Sequence, residues 1–157
     1  MKTNYLLPHK YKRIGWVLFV LGLIAGGYMI LTGYEQDVLN MTVFSIHSDD
    51  AIFGEAKGFF QLVENDILDE LIAVFIIVGG LFISFSRERI EDEFVYKLRK
   101  DSLVWAVIFN YIVLLLAVLF VYGFTFFDVL VFNMFTPLIF FVFRFHFMKY
   151  KSQSHEE

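Results

Sequence analysis

The sequence predicts an all-α membrane protein with four transmembrane helices, and three observations carry that expectation. Of its 157 residues, 58% are hydrophobic and 19% charged, whereas a soluble domain has closer to half its residues apolar and about a quarter charged. The mean hydropathy is +0.63. The apolar residues also fall in long runs, four of which can cross a hydrocarbon layer about 30 Å thick, a distance that takes roughly 20 helical residues. These runs cover about 14–31, 67–85, 103–124 and 129–147. Within hydrocarbon each backbone N–H and C=O must bond inside its own segment, so each run is expected to be a helix. The expectation is one integral membrane domain over 1–157.

The first run has a basic start and small residues at Ala25 to Gly27, features shared with secretion signals. Its apolar part exceeds the about 7–15 residues of a signal core, so it reads as a retained span. Gly22 and Gly26 give it a GxxxG spacing, and Gly79 and Gly80 lie in the second run. Small residues of this kind let helix backbones approach closely, within one chain or between copies. Before the second run, Asn65 or Asp66 can cap the helix, with Asp69 and Glu70 near the positive end of its dipole. Gly123 can end the third helix. Thr125 and Asp128 have the spacing of a capping box opening the fourth.

Lys and Arg set the expected orientation. Lys2, Lys10, Lys12 and Arg13 precede the first span, Arg87 to Lys100 contribute five between the second and third, and Arg144, Lys149 and Lys151 end the fourth. Only Lys57 lies on the other side, which is otherwise acidic from Glu35 to Glu70. By the positive-inside rule both termini face the cytoplasm. Trp16 and Trp105 fall at the cytoplasmic ends of their spans, and Tyr34 and Tyr122 suit the outer interface.

The stretch FSRERIEDEFVYKLRKDSLVW, Phe85 to Trp105, concentrates charge between two apolar runs. No glycine or proline occurs between Gly80 and Gly123. Arg89, Glu93, Lys97 and Asp101 are spaced by four with alternating sign, a ladder worth about 0.2–0.5 kcal/mol per pair on a helix. Ile90, Phe94 and Leu98 form an apolar stripe at the same spacing. The segment therefore reads as a short amphipathic cytoplasmic helix over 87–101, either a solvated boundary or a docking surface for a partner. Glu91, Asp92 and Glu93 point too far apart on a helix to converge on one ion.

Residues 35–66 are too many for a bare turn. Val38 to Ile46 is rich in strand-favouring residues. Ile52, Ala56, Phe60, Val63 and Ile67 recur at helical spacing, which predicts an amphipathic helix on the outer membrane surface. His47, Asp49 and Asp50 are a weak metal signal and read better as an exposed acidic turn.

From Asn65 to Phe145 the chain resembles a family of short four-span inner-membrane proteins of Gram-negative bacteria. The phrase EDEF-x-x-K-[LI]-R-x-x-SL-x-WA, here Glu91 to Ala106, is the most specific part of that likeness. The resemblance implies a bacterial inner (cytoplasmic) membrane. Such proteins are often encoded beside a small helix-turn-helix regulator, which implies signalling. It supplies no activity.

Polar residues inside the spans are functional candidates by default. Here they are Asn110 in the third span and Asn133 and Thr136 beside Pro137 in the fourth. A helical proline frees the carbonyl four residues back, which belongs to Asn133. Amides at such depths also serve as interhelical glue, worth about 0.6–2 kcal/mol. Arg144 and His146 are close enough to the inner interface to snorkel.

No span carries an acid or base near its middle, as coupled transport usually requires. Metalloprotease, hydrolase and phosphate-loop motifs are missing, and there is no cysteine. The sequence therefore predicts no catalytic residue, no metal site and no cofactor. The basic residues are interleaved with acids, which argues against nucleic-acid binding. The expected function is a non-enzymatic sensor, scaffold or accessory subunit. Its contacts would be the lipid bilayer, a cytoplasmic regulatory protein at Arg89, Ile90, Glu93, Phe94, Lys97 and Leu98, and further copies of itself. The alternative is a small oligomeric channel or transporter with Asn110, Asn133 and Thr136 along a polar path. A weaker third reading is a lipid-directed enzyme using Glu64, Asp66, Asp69 and Glu70.

Overall fold

A computed structural model describes residues 6–32, 39–48 and 58–153. Readings of the sequence at Lys2, Tyr34, Glu35, Asp37 and within 49–57 lie outside the described residues. The elements, in order, are α1 (Lys10–Thr32), β1 (Asn40–Ser48), β2 (Gly58–Asp66), α2 (Leu68–Phe85), α3 (Glu93–Phe120) and α4 (Phe124–Gln153). All four helices are long and apolar enough to cross a membrane, so the protein is a multi-pass membrane protein. The chain divides into two compact units, one of Gly22–Val74 and one of Met1–Leu21 with Phe75–Glu157.

The smaller unit holds a correction to the sequence reading. Instead of a surface helix leading into α2, residues 58–66 form a strand that pairs antiparallel with β1, in a register that sets Val43 opposite Val63 and Phe44 opposite Leu62. Periodicity over a short apolar run does not separate strand from helix, and a second strand-forming segment upstream supplies the partner that decides it. Asp66 joins the hairpin to α2. One carboxylate oxygen accepts from the Leu39 N–H at 3.2 Å and from the Leu68 N–H at 3.1 Å. The Ile67 N–H donates to the Leu39 carbonyl at 3.2 Å. The cap expected at Asn65 or Asp66 is thus Asp66, while Asn65 donates to Glu70 at 2.6 Å.

In the larger unit α1 and α2 cross at two glycines. A Cβ on Gly79 would lie 2.5 Å from the Phe19 nitrogen, and one on Gly15 would lie 2.9 Å from the Gly79 carbonyl oxygen. The backbones are therefore in contact, which only glycine permits. Gly80 faces both Phe19 and Leu138, bringing α4 to the same place. Of the other glycines singled out in the sequence, Gly22 is buried and Gly26 half-buried. α3 packs on α4, and Phe109 stacks on Phe140 with centroids 4.5 Å apart. Phe19, Ile83, Val142 and Phe145 are buried, whereas most of α3 beyond Ala106 is exposed, as suits an apolar helix facing lipid.

Helix ends refine the predicted boundaries. α3 begins at Glu93, so the third span and most of the charged stretch form one continuous helix. Its turn to α4 uses Gly123 at φ 74°, a left-handed conformation that favours glycine. α4 starts at Phe124, which puts Thr125 inside the first turn rather than at a cap. The helix continues through Pro137.

The charged end of the helical unit

The candidate site is assembled at the end of the larger unit where α1 starts, α2 gives way to α3 and α4 ends. Residues before α1 run alongside the α2–α3 connection. The Leu7 N–H donates to the Phe85 carbonyl at 2.8 Å, and the Arg87 N–H donates to the Leu7 carbonyl at 2.9 Å. His9 Nδ1 donates to the Arg87 carbonyl at 2.8 Å. A carbonyl can only accept, so this ring nitrogen carries the proton.

This pairing breaks the helix at 86–92, although no glycine or proline stands there. Two acids stabilise the break. The Glu91 carboxylate accepts from the Glu88 N–H at 2.9 Å, and from Arg99 Nη1 at 2.6 Å and Nη2 at 3.2 Å. Asp92 then caps α3 by accepting from the Val95 N–H at 2.7 Å. The helix expected over 87–101 is therefore corrected to begin at Glu93. Arg89 and Ile90 precede it, and the four-step ladder and three-step stripe each lose their first member. The buried face of α3 is instead Val95, Leu98, Ser102 and Ala106. Glu93, Lys97 and Asp101 remain exposed on one face of α3 and make no ion pair with one another.

Glu88 is the centre of the cluster. It is buried, and it receives Lys12 from α1 on one oxygen and Lys149 from α4 on the other, the latter at 2.8 Å. Burial alone would push the Glu88 carboxyl up, but the two lysines outweigh it and hold the group below its ordinary value. Next to this pairing Arg99 is also buried. Its guanidinium donates to the Ser86 carbonyl at 3.3 Å and stacks over Phe145 at 5.5 Å. Three cations and two carboxylates thus tie the start of α1, the α2–α3 connection, α3 and α4 together.

Around this core, Arg144 donates to Ser102 at 3.0 Å and lies over Trp105 at 5.7 Å. His146 bonds the Val142 carbonyl and packs edge-on against Trp16 at 5.0 Å. The outer surface carries two adjoining concavities. One, of about 630 Å³, is bordered by Arg89, Ile90, Phe94 and Lys149. The other, of about 400 Å³, is bordered by Phe94, Lys97, Leu98 and Asp101. Phe94 separates them and is 49% exposed, and Ile90 is 76% exposed. Five of the six residues that the sequence marks for a partner border these hollows, and Glu93 is exposed beside them.

The intramembrane candidates do not meet. The Asn110 Oδ1 and Asn133 Nδ2 atoms are buried without a partner, and the Thr136 hydroxyl turns back to the Phe132 carbonyl at 3.4 Å. In the smaller unit, Asp66 is committed to capping. The charged cluster was missed at sequence level because Lys12, Glu88 and Lys149 share no spacing. Gly15 was missed because it stands alone, without a second small residue four positions away. Comparison with protein-family models, with curated proteins and with solved structures finds no match for this chain.

Proposed function

We propose that the protein is a non-enzymatic sensor, scaffold or accessory subunit of a bacterial inner membrane, with both termini in the cytoplasm. Its charged end docks a cytoplasmic partner. The observation that carries this reading is the exposure of Ile90 and Phe94 around two hollows. They sit on a frame held by the Lys12–Glu88–Lys149 pairing. A mere topological boundary needs positive charge but no exposed aromatic on a rigid concave surface. Such an anchor, ringed by charge, is what a protein interface uses. The basic bias puts this end on the cytoplasmic side, and the likeness to proteins encoded beside a regulator is in keeping with a signalling partner. A photo-crosslinking residue at Ile90 in intact cells tests the proposal. It should capture one discrete protein, whereas the same residue at Phe120, at the far end of α3, should capture none.

The channel reading is supported by the unpartnered amides of Asn110 and Asn133, which could line a path between copies. It requires ion flux in liposomes that Asn133→Leu abolishes.

A further inference from the structure

A third recess, of about 220 Å³, lies where α2, α3 and α4 meet near the charged end. The hydrogen-bonding side chains along it are Ser84, Tyr96, Arg99 and Lys100, and no carboxylate lines it. Two of them are buried with an atom that has no partner, namely the Ser84 hydroxyl and Arg99 Nε. Arg99 is held in place beside the recess by Glu91, the Ser86 carbonyl and the Phe145 ring. Lys100 is exposed and pairs with no carboxylate among the described residues. The remaining wall is Phe85, Leu103, Leu138 and Phe141, of which Phe85 and Leu103 are exposed on the outer face.

An anion fits the first set of groups and a hydrocarbon chain the second. We propose that the recess binds one anionic phospholipid from the adjoining leaflet. Its phosphate lies against Lys100, on the side of the recess lined by Arg99 and Ser84. The first methylenes of an acyl chain lie along Leu138 and Phe141 and leave past Phe85 and Leu103. Free phosphate shares the chemistry of the headgroup, but it would leave the apolar half of the recess empty.

Native mass spectrometry of the detergent-purified full chain tests this. The probes are phosphatidylglycerol, phosphatidylcholine with the same chains, and inorganic phosphate. The chain should retain one phosphatidylglycerol in preference to phosphatidylcholine. Lys100→Gln should weaken that preference about fivefold, the effect of one cation near an anionic headgroup. Lys97→Gln, whose side chain borders a different hollow, should leave it unchanged. Ser84→Leu, which fills the recess, should lose the bound lipid. Equal retention of both lipids, or equal effects of the two lysine variants, would overturn the proposal. Displacement of phosphatidylglycerol by inorganic phosphate would reduce the recess to an ion site and overturn it as well.

Discussion

Lys149 donates to Glu88 at 2.8 Å across 61 positions of sequence, on a carboxylate whose other oxygen is taken by Lys12. Removing the shared acid strands two lysines, one of them buried. Glu88→Gln should therefore cost about 3 kcal/mol, the loss typical of a broken buried pair. Lys149→Gln should cost less, because Lys149 is only half-buried and Glu88 keeps Lys12. Denaturant unfolding of the detergent-solubilised protein would measure both, and equal costs would show that Glu88 does not organise the pair.

The same carboxyl makes stability depend on pH. Its folded value lies below the ordinary 4.5. The stabilisation is thus fully present above that ordinary value and is lost as pH falls through the lower folded value. The midpoint of thermal unfolding should fall on acidification below about pH 4.5. Glu88→Gln should flatten that part of the profile, and an unchanged acid limb in the variant would assign it to other groups.

Gly79 and Gly27 make a matched pair of substitutions. A methyl on Gly79 meets the Phe19 backbone, whereas one on Gly27 meets nothing within 4 Å. Gly79→Ala should force α1 and α2 apart and lower the unfolding midpoint. Gly27→Ala should be neutral or stabilise by about 0.5–1 kcal/mol, the usual gain of alanine over glycine inside a helix. If both variants are neutral, the close crossing does not contribute to stability.

The four helices were legible because a membrane span is written locally, as about 20 consecutive apolar residues. Asp66 as a cap and Gly123 as a terminator were legible for the same reason. What could not be read depends on distant partners. β2 is a strand because β1 lies beside it, and Phe60, Val63 and Ile67 fit a helical period equally well. The break at 86–92 depends on Leu7, about 80 residues earlier. Glu91 and Asp92, adjacent in the sequence, turn out to hold Arg99 and cap α3. The residues proposed for a partner were drawn from a ladder and a stripe on a helix over 87–101; that helix begins only at Glu93 and buries Leu98, while Ile90, Phe94 and Lys97 are exposed.

Topology is testable by single cysteines at Ser48 and Ser154. In intact cells an impermeant thiol reagent should label Ser48→Cys and leave Ser154→Cys unlabelled until the membrane is opened. Equal labelling of both would contradict the orientation drawn from the basic residues.

Docking at the charged end is tested most directly by measuring the partner bound to two variants. Exchange of Glu93 and Lys97 (E93K with K97E) keeps net charge and breaks no ion pair between them. Phe94→Ser removes the exposed ring between the two hollows, whose burial against a partner would be worth about 1.5–3 kcal/mol. Both proteins should insert and unfold like the parent. Each should bind the protein crosslinked at Ile90 at least about tenfold more weakly. If both bind it as the parent does, the charged end is a boundary and not a docking surface.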